Sequence, residues 1–423
     1  MNCLYQADWR IPMRINKFQL ALVRERLRAL KAFQTPLYKD KLAVVNPDEL
    51  LTPEQFQALP FTEKAELRDV YPLGNQAVPD EQIVRIHSSS GTTGTPIIIP
   101  YTQKDVEDWA DMFARCYAVA GITPSDRIHI TPGYGLWTAG IGFQLGCEKL
   151  GAMAIPMGPG NTDKQLKMMM DMKSTVLCAT SSYALLLAEE IEKRGIGDKI
   201  CLKKGVIGSE RWGDKMRARI SRELGVELYD IYGLTEIYGP GIGINCEKDE
   251  PMHYWDDYIY LEIIDPVTGE NVPDGEIGEI VITTLRKEGA PLIRYRTHDL
   301  SRIIPEPCPC GLSYPRIDRI IGRSDDMIKV KGVNIYPGQV EDVLREVEGV
   351  SSEYQVMIDH VNGKDIMTLF FETEEGMVKK DIEKTVQTVF KARVGLIVEA
   401  KSVAIGELPR SEKKSTRIFD NRY

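Results

Sequence analysis

A loop rich in hydroxyl groups and glycine is the first feature of this sequence that could do chemistry. Residues 88–96 read SSSGTTGTP, and their hydroxyl side chains are those of Ser88, Ser89, Ser90, Thr92, Thr93 and Thr95. Gly91 and Gly94 leave room for backbone N–H groups to approach an anion closely. The loop has no lysine, so it is not the Walker loop of P-loop NTPases. Two interpretations remain open from these residues alone: a phosphate-binding loop, or an ordinary connection between strands.

Three cysteines and one histidine form a second set of residues with possible chemistry. Cys246 and His253 lie in one stretch, and Cys308 and Cys310 follow further along the chain. Three thiolates and one imidazole satisfy tetrahedral zinc without an open position, which is typical of a structural site. The spacing is not that of a standard zinc finger, and three thiols in loops are the alternative. We expect zinc, because loop cysteines beside proline and glycine are hard to explain as core residues.

Strand and helix patterns alternate from about residue 81 and would position the hydroxyl-rich loop between two strands. EQIVRIHSSS and PIIIPYT are typical of strands, and the next segment places Val106, Trp109, Phe113 and Tyr117 on one helical face, with Thr102 as its cap. Further strands are predicted at RIHIT, TVLCAT, GVIGSE and VELYDIYG. This alternation predicts βαβ units and a largely parallel sheet.

The pattern changes after residue 255, where short strands and turn-rich segments predict a subsidiary antiparallel sheet. The C-terminal part is again mixed, with a helix after Pro337, strands near 354–359 and 366–372, a helix at 378–393 and a strand at 397–405. Two domains are expected, because 423 residues exceed the usual size of one hydrophobic core. We place the boundary at Asp325, which gives an N-terminal domain of residues 1–324 and a C-terminal domain of residues 325–423.

Composition excludes some classes of partner. The formal net charge of -9 leaves no basic excess to neutralise nucleic-acid phosphates, so no nucleic acid is expected. The N-terminal segment has apolar residues at helical spacing broken by Arg and Lys, unlike the apolar core of a signal peptide. The sequence also has no apolar run long enough to span a bilayer. We therefore predict a cytoplasmic protein with no membrane partner.

Five spaced motifs resemble those of one enzyme superfamily. In chain order they are SSSGTTGTP, YDIYGLTE, YRTHDL, GRSDDMIKVKG and LPRSEKK. Together they resemble the adenylate-forming superfamily of acyl-CoA synthetases and adenylation domains. GYGLWTAG, GSERW and RSDDMIKVKGVNIYPGQVE make the chain most similar to the phenylacetate–CoA ligase family. The resemblance spans nearly the whole chain. It implies an α/β fold, with a large N-terminal domain of mostly parallel sheets flanked by helices, an antiparallel β subdomain, and a small mobile C-terminal α+β domain.

The family resemblance also implies an activity. It is the ATP-dependent activation of an aryl or arylacetic acid to an acyl-adenylate, followed by transfer to coenzyme A to form a thioester. One alternative is an adenylating enzyme whose acceptor is a carrier protein or an amine instead of CoA. The other is a nucleotide-binding regulatory protein without turnover, against which intact Glu236, Asp299 and Lys414 weigh. The family further suggests a homodimer.

The resemblance assigns the ATP phosphates to two motifs. The loop from Ser88 to Thr95 would hold the β- and γ-phosphates through hydroxyls and amides. Thr235 would bind the α-phosphate, and Glu236 would be the natural oxygen ligand for Mg²⁺. Without the preceding YDIYG, this Thr-Glu pair would be interpreted as a solvated helix start.

The rest of the nucleotide is assigned in the same way. Asp299 would accept both ribose hydroxyls, and Arg323 would add a second ribose contact; a turn aspartate is the structural alternative for Asp299. The implied adenine slot consists of Ser209, Glu210, Asp230, Ile231, Tyr232 and Gly233. Tyr232 would offer its face for stacking.

Lys414 is the residue that the resemblance implies for acyl-adenylate formation. The family pattern ends Ser-Glu-Gly-Lys, and Lys413 replaces the glycine here, so position in the motif favours Lys414. Without the motif, a solvated basic face would be the better interpretation. Asp325 matches the family hinge, about which the C-terminal domain rotates between the two half-reactions.

The acyl pocket is assigned to GYGLWTAG, with Tyr134 and Trp137 facing an aryl ring. The more usual family form has Phe in place of Trp137 and Gly in place of Ala139, so both departures add bulk to the pocket. Phenylacetate itself is therefore in doubt, and an aryl or arylacetic acid is the expected substrate class. Some family members carry similar Cys and His positions, which supports the zinc prediction.

Overall fold

The structure is a computed structural model that describes residues 14–89, 95–210, 212–247, 249–331, 333–361, 364–374, 379–410 and 417–422. It divides into two compact units. Unit 1 is drawn from Met1–Gly158 and Tyr229–Ile320, and unit 2 from Pro159–Leu228 and Ile321–Tyr423. The predicted boundary at Asp325 is a different division of the chain, and both it and the mobility of the C-terminal domain stay predictions.

The α-helices and β-strands follow one another as listed here, in chain order. The helices are α1 Lys17–Phe33, α2 Pro53–Gln57, α3 Lys64–Asp69, α4 Gln103–Val119, α5 Ala139–Leu150, α6 Thr162–Asp171, α7 Ser181–Lys193, α8 Asp214–Leu224, α9 Pro337–Glu346 and α10 Lys379–Val394. The strands are β1 Ile83–Ser88, β2 Ile98–Thr102, β3 Arg127–Ile130, β4 Met153–Pro156, β5 Val176–Thr180, β6 Lys204–Gly208, β7 Glu227–Leu234, β8 Gly239–Cys246, β9 Asp249–Tyr254, β10 Ile259–Ile264, β11 Gly278–Thr284, β12 Tyr295–Ser301, β13 Ile303–Ile304, β14 Arg316–Ile317, β15 Gly322–Arg323, β16 Ile328–Val330, β17 Val333–Ile335, β18 Val350–Val361, β19 Lys364–Thr373, β20 Glu399–Ala404 and β21 Ile418–Asp420.

Unit 1 combines parallel and antiparallel pairing, as predicted. Strands β3 and β4 are parallel, whereas β1 and β2 form an antiparallel pair. Strands β10, β11 and β12 form the predicted antiparallel sheet after residue 255, and β7, β8, β9, β14 and β13 pair successively. The mixed α/β class is therefore confirmed.

Helix α4 shows why the sequence pattern was informative in unit 1. Its cap Thr102 accepts a hydrogen bond from the Asp105 backbone N–H at 3.1 Å, and the Asp105 carboxylate accepts one from Thr102 N–H at 3.0 Å. This reciprocal pair satisfies N–H groups that the helix start leaves without intrahelical partners. Trp109, Phe113 and Tyr117 are fully buried on the predicted face. The helix is thus held at its start and packed along one side.

Unit 2 is built from two separate regions of the chain. Strands β5 and β6 are parallel, and the buried faces of α7 and α8 share one apolar cluster with them. In the C-terminal part, the four-stranded sheet has the order β20-β19-β18-β21, and its core includes residues from α9 and α10. The predicted C-terminal helices and strands are present, and β21 is an addition that the sequence pattern did not predict.

Within the described ranges, no helix combines the length and apolar character that crossing a membrane requires.

Candidate functional site

The base of the hydroxyl-rich loop is a closed hairpin neck in unit 1. Ser89 N–H donates to the Ile97 carbonyl at 3.0 Å, and Ile97 N–H donates to Ser89 Oγ at 3.0 Å. Ser88 is buried at the end of β1, and Thr95 is exposed on the other side of the loop. The intervening predicted phosphate contacts, Ser90, Gly91, Thr92, Thr93 and Gly94, lie outside the described residues. The neck therefore fixes where the loop leaves and re-enters the sheet.

The predicted acyl motif lies against two other predicted motifs of unit 1. Ser88 N–H donates to the Leu136 carbonyl at 2.7 Å, which joins the motif to the hydroxyl-rich loop. Thr138 Oγ1 lies 3.3 Å from Thr235 Oγ1, which joins it to the Thr-Glu pair. The side chain of Trp137 is 44% exposed. Three motifs that are far apart in sequence thus converge in one place.

Glu236, the predicted magnesium ligand, is a buried carboxylate with a cation beside it. Its residue is 3% exposed, and Lys64 Nζ at the start of α3 lies 3.0 Å from its Oε1. A buried charge is costly unless it is paired, so Lys64 stabilises the carboxylate in this structure. Sequence reasoning missed Lys64, because a lysine at a helix start is usually solvated.

Lys287 is a second cation near Glu236 that sequence reasoning missed. It is fully buried, donates to the Ile237 carbonyl, and lies 4.0 Å from the Tyr101 ring centroid and 4.7 Å from that of Tyr238. Burial lowers the pKa of Lys287 to about 7, against the opposing charges of Asp105 and Glu236. Its presence in the apolar-flanked segment TTLRKEGAPL gave no signal of burial.

Two predicted nucleotide contacts also meet in unit 1. The Tyr232 hydroxyl donates to Asp299 Oδ2 at 2.8 Å, and Asp299 is 7% exposed on β12. Gly233 follows Tyr232 where β7 and β8 approach closely, and a Cβ there would lie 2.0 Å from the Gly239 carbonyl oxygen. Only glycine fits this position. Asp230 and Ile231 precede them on the same strand.

The other predicted nucleotide contacts belong to unit 2. Glu210 accepts hydrogen bonds from Ser182 N–H at 3.0 Å, Ser182 Oγ at 2.8 Å and Ser181 Oγ at 2.9 Å, all at the start of α7. Ser209 beside it has a positive φ of 69°. Arg323 forms a bidentate pair with Asp325, with two contacts of 2.8 Å. The predicted ribose contact and the predicted hinge residue are therefore ion-paired. Lys413 and Lys414 lie outside the described residues.

The cysteine and histidine set forms a cluster in unit 1. One ligand atom from each of Cys246, His253, Cys308 and Cys310 lies within 4.8 Å of all the others. Cys246 Sγ is 3.5 Å from Cys308 Sγ, and Cys310 Sγ is 3.3 Å from His253 Nε2. His253 Nδ1 lies 3.1 Å from the Tyr314 carbonyl, a contact that fixes the ring and directs Nε2 to the cysteines. The structure therefore brings the four predicted zinc ligands together, and the binding of zinc stays a prediction.

Comparison with known proteins places this architecture in a class. A family model of AMP-binding enzymes matches residues 19–285, and a model of the AMP-binding enzyme C-terminal domain matches residues 332–422. The chain is 41% identical to a phenylacetate-coenzyme A ligase of Pseudomonas putida, over 92% of this chain and 90% of that protein.

Solved structures of one acyl-CoA ligase show the same fold. A 2-hydroxyisobutyryl-CoA ligase in the postadenylation state has a TM-score of 0.86 and 27% identity, covering 100% of this chain and 94% of that one. The same enzyme in the thioesterification state has a TM-score of 0.69 and 27% identity, covering 96% and 89%.

The fold and motifs define an adenylate-forming enzyme of the AMP-binding class. Within that class, the chain belongs to the phenylacetate–CoA ligase family. It is an AMP-forming acid–CoA ligase, for which a carboxylic acid, ATP and CoA are the substrates.

Proposed function

We propose that this ligase activates an aryl or arylacetic acid, and that its reaction centre is the place in unit 1 where three motifs converge. The contact that carries the proposal is the 3.3 Å approach of Thr138 to Thr235, between the acyl motif and the Thr-Glu motif. Thr235 is the proposed α-phosphate contact, so an acid held by residues 133–140 would have its carboxylate near that phosphate. The naming of its relative as a phenylacetate–CoA ligase supports the substrate class.

The proposed reaction has two steps, formation of the acyl-adenylate and transfer of the acyl group to CoA. A carboxylate oxygen of the acid attacks the α-phosphorus of ATP, the bond to the β-phosphate oxygen breaks, and pyrophosphate leaves. The CoA thiolate then attacks the acyl carbonyl carbon, and AMP leaves with the carboxylate oxygen. Holding both reactants in line supplies much of the rate, because it removes the entropy cost of their encounter. Lys414 would stabilise the charge that develops in the first step.

Different residues are proposed to contact the ribose and the adenine of the nucleotide. Asp299 would accept the ribose hydroxyls, with Tyr232 donating to its other oxygen and fixing the carboxylate. Arg323 stays a predicted second ribose contact, and in this structure it pairs with Asp325. The family resemblance implies adenine contacts for Ser209 and Glu210 of unit 2 and, separately, for the backbone of residues 230–233 of unit 1.

The residues around Glu236 fit a magnesium ion. The carboxylate is a hard oxygen ligand of the kind that Mg²⁺ prefers, and it is buried with Lys64 Nζ 3.0 Å from its Oε1. Mg²⁺ bound there would neutralise charge on the phosphates of ATP. Lys64 would then be released from Glu236 and could pair with a phosphate oxygen.

The cluster of Cys246, His253, Cys308 and Cys310 fits a structural zinc ion. Three sulfurs and one imidazole nitrogen fill a tetrahedral shell, and separations of 3.3 and 3.5 Å between ligand atoms are close to the edges of such a shell. The cluster joins the β8–β9 region to the loop before β14, so zinc would cross-link two segments distant in sequence. It would have no part in the reaction.

A panel of acids tests the proposed substrate class. Phenylacetic, benzoic, indoleacetic and short aliphatic acids are offered with ATP and CoA, and thioester formation is followed by mass spectrometry. We expect an aryl or arylacetic acid to give the highest kcat/KM. A preference for the aliphatic acids would overturn the substrate class. Acid-dependent ATP–pyrophosphate exchange with no CoA thioester would favour a carrier protein or amine as the acceptor.

Two further properties stay predictions, the first suggested by the family and the second by the sequence pattern. A homodimer is expected, and analytical ultracentrifugation tests it. A cytoplasmic location is expected, and fractionation of the source cells tests it.

A further inference from the structure

Arg410 is a buried cation shared by two carboxylates. Its side chain is 8% exposed, and Nη2 lies 2.7 Å from Glu189 Oε1 and 3.0 Å from Glu372 Oε2. Nε lies 3.2 Å from each oxygen of Glu189, and Nη1 lies 2.9 Å from Glu372 Oε1. The guanidinium therefore meets both carboxylates in the planar, two-pronged geometry that arginine favours.

The two carboxylates belong to different parts of the chain. Glu189 lies on α7, in the region that matches the AMP-binding enzyme model, whereas Glu372 lies on β19, in the region that matches the C-terminal domain model. Glu372 also accepts hydrogen bonds from Gly406 N–H at 2.9 Å and Leu408 N–H at 3.3 Å, so its pairing with Arg410 is internal to the C-terminal region. The pairing of Arg410 with Glu189 joins the two regions, and both lie in unit 2.

A second contact joins the same two regions. Lys215 Nζ, at the start of α8, donates to the carbonyl oxygens of Leu344 at 2.9 Å, Val347 at 2.8 Å and Val350 at 2.6 Å. These carbonyls lie at and just beyond the C-terminal end of α9, where a cation is stabilising. The C-terminal region is thus held to α7 by one cation and to α8 by another.

Glu189 and Arg410 each have a second charged partner, which allows their ion pair to form and break reversibly. Separating a buried ion pair is costly when it leaves a bare charge behind. Here Arg410 would keep Glu372, and Glu189 would keep Arg219, whose Nη2 lies 2.7 Å from Glu189 Oε1. Each charge retains a partner after separation, so the contact can form and break without leaving an unpaired charge.

We propose that Glu189 and Arg410 are positioning residues for acyl-adenylate formation. Their ion pair holds the C-terminal region in the arrangement used for the first half-reaction, for which Lys414, four residues after Arg410 in the same motif, is the proposed catalytic lysine. The pair breaks for the thioester-forming half-reaction. The inference rests on the proposed two-step function.

The test compares the two half-reactions in Glu189→Gln. Acid-dependent ATP–pyrophosphate exchange measures the first, and CoA thioester formation from a supplied acyl-adenylate measures the second. We expect the exchange rate to fall about tenfold or more, because a mostly buried charge pair is lost, while thioester formation is unchanged or faster. Lys215→Met should have the same effect as Glu189→Gln: a slower exchange, with thioester formation unchanged or faster. Lys414→Ala provides the reference for loss of the first half-reaction.

Glu190→Gln is the matched control, because Glu190 neighbours Glu189 on α7 but pairs with Arg194 on the same helix. Both half-reactions should be unchanged in it. Equal losses in both half-reactions of Glu189→Gln would indicate a merely structural role and overturn the inference, as would no loss in either. If the unsubstituted enzyme gives no exchange with any acid of the panel, the proposed function fails, and the inference fails with it. Thermal unfolding of each variant confirms that it is folded.

Discussion

Lys64 Nζ lies 3.0 Å from Oε1 of Glu236, and that carboxylate belongs to a residue only 3% exposed. The pair joins the start of α3 to the Thr-Glu motif, which is far away in the sequence. In this structure, the cation beside the proposed magnesium ligand Glu236 is therefore a lysine side chain. Lys64 and a metal ion would therefore compete for the same carboxylate oxygen.

Lys64→Met should lower the melting temperature of the ligand-free protein by a few degrees, because the buried Glu236 carboxylate would lose the cation that lies 3.0 Å from it. Added Mg·ATP should raise the melting temperature more in the variant than in the unsubstituted protein, since the metal no longer displaces a lysine. Differential scanning fluorimetry measures both effects. Lys167→Met is the control, because its pair with Asp171 is solvent-exposed and should contribute little. Identical melting and identical Mg·ATP shifts in all three proteins would contradict the prediction.

Asp299→Asn should weaken AMP binding about 10- to 100-fold, because hydrogen bonds from the ribose hydroxyls to a charged acceptor are stronger than those to a neutral amide. Isothermal titration calorimetry with AMP measures the change without requiring turnover. Tyr232→Phe is the matched variant, since it removes only the hydroxyl that donates to Asp299 at 2.8 Å. We expect a smaller loss there. Unchanged AMP affinity in Asp299→Asn would show that the carboxylate does not hold the ribose.

Purification without chelators should yield about one zinc per chain, as expected of a closed four-ligand site. Removing the metal, or substituting Cys308→Ser, should lower the melting temperature because a cross-link between distant segments is lost. Elemental analysis by mass spectrometry measures the metal. Cys201→Ser is the control, since Cys201 is exposed and outside the cluster. Protein that lacks zinc after such a purification would return the cluster to three thiols and a histidine without a metal.

Lys287 should make the stability of the fold depend on pH. Burial lowers its pKa from an ordinary value of 10.5 to about 7, so the unfolded chain binds this proton more tightly than the folded one. Between these two values, raising the pH therefore stabilises the fold, by up to about 1.4 kcal/mol per pH unit. Below the folded pKa, both states carry the proton and the dependence from this residue disappears.

Lys287→Met isolates this effect. The difference in the free energy of unfolding between the unsubstituted protein and the variant should shift in favour of the unsubstituted protein as the pH rises from roughly 7 to 9. Urea titrations at a series of pH values, without nucleotide, measure the difference. Parallel stability curves over this range would mean that Lys287 keeps an ordinary pKa in the fold.

Much of the fold could be predicted because local patterns and tertiary packing agree. The face containing Val106, Trp109, Phe113 and Tyr117 is buried, and Thr102 caps its helix as predicted. Strand β21 at Ile418–Asp420 could not be predicted, because it is short and its hydrogen bonds come from the edge of β18, a partner distant in sequence. Its residues do not show the alternation of a half-buried strand.

In the candidate site, too, some residues could be predicted from the sequence and others could not. The motifs pointed to Thr235, Glu236 and Asp299, because their residue types and order are specific, and the roles of these residues stay predictions. Lys64 and Lys287 were missed, because a lysine carries no sequence signal for burial, and only folding places these two near Glu236. The cluster of Cys246, His253, Cys308 and Cys310 could be predicted from its residue types, although Cys246 lies on β8 and His253 on β9, and only the other two cysteines lie in a loop.

Oxygen labelling tests the central claim, that the acid is activated as an acyl-adenylate, most directly. The preferred acid, labelled with ¹⁸O in its carboxylate, is incubated with the enzyme, ATP and CoA, and the products are analysed by mass spectrometry. Attack of the carboxylate on the α-phosphorus predicts that AMP gains one ¹⁸O and that pyrophosphate gains none. Label in inorganic phosphate, with ADP as the nucleotide product, would contradict the account, because the acid would then have been activated at the γ-phosphate.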